Sequence, residues 1–134
     1  MSQVAGSVHR VALVRPDDPQ STASLERAFD AGLRGIGEIE VAIFKSLFPG
    51  FGLCSAVARE WWEVCDRRRA PVILHLSEGV AEVGDVLHMV EEYDRLQVII
   101  AHLGLAPADG WKEQVRLGKH PRIFIAQPLA ATKK

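Results

Sequence analysis

The sequence offers only two cysteines, Cys54 and Cys65, for covalent bracing. They lie 11 residues apart on one predicted helix, about 16 Å at 1.5 Å rise per residue, which is beyond the reach of a disulfide. Both read as structural thiols without a functional signal. An excess of one charge is missing too: 16 basic residues face 17 acidic ones, for a net charge of −1. That balance argues against a dedicated nucleic-acid or membrane-surface binder. The densest basic run, Arg67-Arg68-Arg69, closes a predicted helix, where positive charge suits the negative end of the helix dipole. No stretch approaches the ~20 apolar residues of a membrane helix. Residues 1–7 lack the basic start and apolar core of a signal peptide, so a cytoplasmic location is the expectation. There is no low-complexity segment, no Walker loop and no G-x-G-x-x-G. Gly35-Ile36-Gly37 lacks the third glycine and falls inside a predicted strand, which excludes a dinucleotide fingerprint there.

What is present is the makeup of one globular domain. A chain of 134 residues is long enough for a sizeable core. Its 48% apolar and 25% charged residues exclude wholesale disorder. Residues 8–127 carry the pattern, and 1–7 and 128–134 read as flexible termini.

The pattern divides into strand–helix units. His9 to Arg15 (HRVALVR) reads as a short buried strand stopped by Pro16-Asp17-Asp18-Pro19. Ser21 or Thr22 can cap a helix with Leu25, Ala28 and Phe29 on one face and Gly32 as its stop. Arg34 to Val41 (RGIGEIEV) is a second strand. Its alternation puts Ile36, Glu38 and Glu40 on one side, with Gly35, Gly37, Ile39 and Val41 on the other. Ala42 to Leu53 reads as a long loop carrying Phe44, Phe48 and Phe51 around Pro49-Gly50, of the kind that lies over a site. A helix from Ser55 to Arg69 buries Val57, Ala58, Trp61, Trp62 and Val64. Pro71 opens the third strand. Ala81 to Asp94 forms a helix with the stripe Val83, Val86, Leu87 and Val90, and Val98 to His102 is the fourth strand. Asp109 can cap a short helix with Trp111 and Val115, ended by Gly118, before the fifth strand, Arg122 to Ala126. Such alternation gives right-handed crossovers and a parallel sheet of the α/β class, with strands apolar enough for burial on both faces. An open sheet and a barrel both fit this pattern.

In parallel α/β folds chemistry gathers at the carboxyl ends of the strands. Those ends here bear Arg15, Glu38 or Glu40, His75, His102 and Gln127. The runs Val72-Ile73-Leu74-His75 and Val98-Ile99-Ile100-Ala101-His102 each end on an imidazole, 27 residues apart, on successive strands. Two readings stand: core residues with satisfied hydrogen bonds, or two ligands of one divalent metal. Nitrogen and carboxylate donors together suit zinc, manganese or iron. Glu38 and Glu40 sit about 6.6 Å apart along one face. Such a pair needs either a metal or ion-pair partners and solvent. Arg15 is a candidate substrate contact or else the salt-bridge partner of Asp17 or Asp18. His9 starts a strand, His88 lies on a helix and His120 precedes a strand, so all three read as surface or packing residues.

PVILHLSEG, followed one unit later by VIIAHLG, resembles the amidohydrolase superfamily, in particular the amidohydrolase-related metal-dependent hydrolases. In those, strands of type P-V-x-x-H and A-H-L-G supply the fifth- and sixth-strand histidine ligands of a (β/α)8 barrel. RGIGEIE resembles the fourth strand, most closely the G-E-I of TatD-like hydrolases, whose glutamate is a metal ligand. The resemblance runs from Val11 to Ala126. It implies Glu38, His75 and His102 as metal ligands, with zinc as the first choice of cofactor and manganese or iron as substitutes; Arg15 and Glu40, at the same strand ends, are the candidate substrate contacts. Two hallmarks have no counterpart. No two histidines here are separated by one residue, so the first-strand H-x-H is absent, and the eighth-strand aspartate, a ligand and general base, would lie beyond Lys134. What remains resembles strands three to seven of the barrel: a parallel (β/α) repeat of about five strands and four helices, a partial TIM barrel.

The implied activity is metal-assisted hydrolysis of a C–N, C–O or phosphoester bond in a small-molecule substrate, or decarboxylation as in some relatives. Five strands leave two edges and an inner face open. Three expectations follow: a fragment of a longer enzyme, a chain completed by a second copy or another chain, or a degenerate, non-catalytic module acting as an assembly partner. A flavodoxin-like open sheet is the rival fold. Sequential strand order would mark a barrel, and a reversal in the order would mark the open sheet.

Overall fold

The computed structural model describes residues 11–76, 80–101 and 116–126. They form, in order, β1 (Val11–Ala12), α1 (Ser21–Asp30), β2 (Gly35–Glu40), α2 (Val41–Leu47), α3 (Ala56–Arg68), β3 (Val72–His75), α4 (Val80–Glu92), β4 (Val98–Ala101) and β5 (Ile123–Ile125). His9, His102, the predicted helix around Trp111 and Val115, Gln127 and both termini lie outside the described residues.

All five strands pair in parallel in one sheet, in the order β1-β2-β3-β4-β5. Sequential order without a reversal is the arrangement of a barrel segment, and it overturns the flavodoxin-like alternative. Right-handed crossovers that all step the same way place successive helices on the same side of the sheet. The core follows from that. Ile36, Ile39, Val72, Leu74, Val98, Ile100 and Ile123 meet Leu25 and Phe29 of α1, Trp61 and Trp62 of α3, and Val86, Met89 and Val90 of α4 in one buried cluster. On the opposite face Ile73, His75, Ile99 and Ala101 are half-buried, and Leu13 and Phe124 are exposed. Burial on both faces, as the apolar strands suggested, therefore holds for one face only among the described residues.

β2 breaks strict alternation. Its register with β3 runs Ile36↔Val72, then Ile39↔Leu74 and Glu40↔His75, so one extra residue of β2 is accommodated in a bulge. The bulge puts Ile36 on the buried side with Ile39, and not on the side of Glu38 and Glu40. Glycine lets the two strands approach here. A Cβ on Gly35 would stand 2.8 Å from the carbonyl oxygen of Pro71, and one on Gly37 would stand 2.7 Å from that of Ile73.

The helices differ from the sequence reading in three places. α2 occupies part of the stretch expected to be loop. Val41, Phe44 and Phe48 recur at helical spacing, and all three pack on the core. The flanking Val41 and Ile43 favour strands, and the seven-residue run is too short for a clear period. At α1 the capping position is Gln20, and Ser21 is buried with its hydroxyl accepting a hydrogen bond from Trp61 Nε1 at 3.0 Å. α3 starts at Ala56, so Cys54 lies ahead of it and the two free thiols do not share a helix. At its far end Arg69 adopts a left-handed conformation, while Arg67 and Arg68 reach Glu26 and Asp30 of α1. The carbonyl end of α4 is closed by Arg122. Its guanidinium donates to the carbonyls of Val90 at 2.6 Å, Tyr93 at 2.8 Å and Leu96 at 2.9 Å. No helix among the described residues is long and apolar enough to cross a membrane.

Candidate metal centre

β2 and β3 end side by side. The register pairs their last residues, Glu40 with His75, and the same row continues to Ala101 at the end of β4. Paired residues of parallel strands project to one side, here the open face of the sheet. Glu38, two residues before Glu40, projects the same way. Three side chains from two strands thus converge at the carboxyl edge.

Nδ1 of His75 lies 2.9 Å from Oε2 of Glu40 and 3.8 Å from Oε2 of Glu38. One ligand atom from each of the three residues falls within 4.8 Å of the other two. A carboxylate only accepts, so the 2.9 Å contact places a hydrogen on Nδ1. The His75 side chain is 14% exposed and its Nε2 is buried, whereas Glu38 and Glu40 are 35% and 40% exposed. The strand therefore holds the imidazole, and the carboxylates face water. Two anionic oxygens beside one imidazole suit a divalent ion of the zinc, manganese or iron type. Carboxylates this close also repel, and a cation between them removes that penalty.

Of the residues expected at the site, Glu38, Glu40 and His75 come together. His102 follows Ala101 in sequence and lies outside the described residues. Arg15 is not one of the clustered groups. It donates to both carboxylate oxygens of Asp17, at 3.0 and 2.9 Å, and lies over the Phe48 ring at 5.5 Å. That hydrogen-bonded pairing holds the Asp17 carboxyl below its ordinary range and raises the guanidinium further. Both residues line a cavity of about 500 Å³ that Glu38 also borders, with Leu13, Phe44, Leu47 and Phe48 as its apolar walls. The volume is that of a small-molecule site.

Several features of the site escape the sequence pattern. Asp17 reads there as part of a turn, and Leu47 as part of a loop. The 3–4 spacing of Val41, Phe44 and Phe48 is the signal that reveals the helix presenting them. Among the described residues, the other two histidines, His88 and His120, behave as structural groups. His88 is exposed on α4, 3.7 Å from Glu92, and His120 Nδ1 accepts from the backbone N–H of Arg122 at 3.1 Å. Burial pushes the Cys65 thiol up to about 12, and burial, helped by the charges of Asp85 and Glu92, raises that of Cys54. Neither is a ready thiolate ligand.

A family model described as amidohydrolase matches residues 2–130, and the chain belongs to that family. The sequential parallel sheet with its four helices is accordingly part of a TIM-type barrel, and the domain is of the hydrolase type. Members of the family generally bind divalent metals, and the Glu38–Glu40–His75 cluster is a candidate place for one. No curated protein and no solved structure shows a significant match to the chain.

Proposed function

We propose that this domain is a metal-dependent hydrolase of the amidohydrolase type, with Glu38, His75 and His102 as metal ligands. Zinc is the proposed ion, and manganese or iron would serve in the same donor set. The reaction is hydrolysis of a C–N, C–O or phosphoester bond in a small molecule, or decarboxylation. The observation that carries this reading is the convergence of two carboxylates and an imidazole within 4.8 Å at the carboxyl ends of adjacent parallel strands.

When bound, such an ion lowers the pKa of a water molecule and polarises a carbonyl or phosphoryl oxygen. The chain's own residues supply the setting. His75, at the end of β3, is fixed by the sheet and presents Nδ1 to the open face. Glu38 brings negative charge to the same point and borders the cavity. The apolar walls from Phe44, Leu47 and Phe48 exclude water from the body of a substrate, and Arg15 at the rim is the proposed polar contact.

Activity of the zinc-loaded protein on a panel of activated amides, esters and phosphoesters tests the proposal. The expected result is turnover of at least one class, lost on chelation, regained on return of zinc, and absent in His75→Ala. A protein that holds zinc yet turns over nothing in the panel favours the non-catalytic assembly module instead.

A further inference from the structure

Two carboxylates converge on one ring nitrogen at the ends of β2 and β3. Nδ1 of His75 meets Glu40 at 2.9 Å and Glu38 at 3.8 Å, while Nε2, across the ring, is buried. An ion that reaches His75 from the side of the carboxylates therefore meets Nδ1. We propose that Glu40 is itself a metal ligand, so that Glu38, Glu40 and Nδ1 of His75 form a three-donor set built on two adjacent strands. This assignment rests on the metal-hydrolase reading and extends its ligand set. It also gives Glu40 a different role from the substrate contact expected from its place at a strand end.

Distances, charge and framework all support it. Metal–ligand bonds of about 2.0–2.2 Å separate two ligands of one ion by roughly 3–4 Å. Donors within 4.8 Å of one another need adjustments on the order of 1 Å to enclose an ion, within reach of half-exposed glutamates. Two carboxylates with a neutral imidazole cancel the charge of a divalent cation, where one carboxylate would leave a net positive charge. The framework is fixed by pairing, since Glu40 and His75 are register partners and Glu38, two residues before Glu40 on the same strand, lies on their side. In the metal-free chain the Nδ1–H donates to Glu40. Binding at Nδ1 shifts the neutral ring to its other tautomer, one proton leaving Nδ1 and one being taken up at Nε2 with no net release, and frees the Glu40 oxygen to turn from the ring to the ion.

Zinc titration of the full chain, followed by competition with a chelating dye and by 15N-histidine spectra, tests this. In wild-type protein the His75 resonance of Nδ1 changes from the protonated to the metal-bound type, and that of Nε2 changes from the unprotonated to the protonated type. Glu40→Gln, which keeps size and removes charge, weakens zinc binding by at least roughly a hundredfold, beyond the ordinary effect of an outer-sphere partner. Dispersed spectra show that the variant is folded. Zinc on Nε2, or a smaller weakening in Glu40→Gln, overturns the assignment and leaves Glu40 as a hydrogen-bond partner of the ring. If wild-type protein binds no zinc at all, the functional reading fails and takes the assignment with it.

Discussion

At position 37 a side chain meets two obstacles. The backbone there has φ +141°, which L-residues rarely adopt, and an added Cβ would press on the carbonyl oxygen of Ile73 at 2.7 Å. Gly37→Ala should therefore lower stability by about 2–4 kcal/mol, read as a shift in urea midpoint. Gly52→Ala, where nothing lies within 4 Å of the new methyl, should stay within about 0.5 kcal/mol of wild type. Cys65 gives a prediction with a pH sign. Its thiol is pushed up to about 12 by burial, from 9.0 when exposed. Between those values the unfolded chain has lost a proton that the folded chain keeps, so stability falls as pH rises from about 9 to 12. Chemical denaturation across that range should show a shallower fall in Cys65→Ala, whatever that variant's starting stability. At neutral pH Cys65 should resist thiol reagents until the protein unfolds.

Among the elements, the ends of α4 and α3 use arginine in two different ways. Arg122 answers three carbonyls at the end of α4 and the turn beyond it. Replacing it by methionine keeps the aliphatic stem and orphans those groups, with an expected loss of about 1–3 kcal/mol. Hydrogen exchange should quicken first in the last turn of α4. The arginines ending α3 are a contrast. Arg67 reaches Glu26 from a half-exposed position, so Arg67→Ala should change stability by under about 1 kcal/mol, and by less in high salt.

Elements also show where sequence is a sufficient guide. Helices α1, α3 and α4 announce themselves through apolar stripes, such as Val83, Val86 and Val90, because burial on one side is a local pattern. α2 is seven residues long and its stripe holds only Val41 and Phe44 within the helix, too few to set a period. The bulge in β2 depends on how that strand meets β3, a non-local fact that alternation within GIGEIE cannot express. Hence Ile36 changes sides, while Glu38 and Glu40 keep theirs.

For the whole molecule, the order of five parallel strands sets everything that follows. Repeated strand–helix units establish the class, and the family resemblance supplies the barrel. Strand order itself becomes visible only in the pairing. The same pairing makes the site. His75 ends an apolar run and so invites attention in sequence, but its neighbour across the sheet, Glu40, is 35 residues away and is brought to 2.9 Å by register alone. One face of the sheet is packed by helices and the other presents Leu13, Phe124 and the carboxylate–imidazole cluster together. The candidate metal centre therefore lies on the open side, next to the apolar cavity.

Zinc content of the purified protein, after equilibration with the metal and dialysis, tests the central claim most directly. About one zinc per wild-type chain is expected, lost in both His75→Ala and His102→Ala. If both variants keep the wild-type metal content and the wild-type stability, the histidines are not ligands and the metal centre is contradicted.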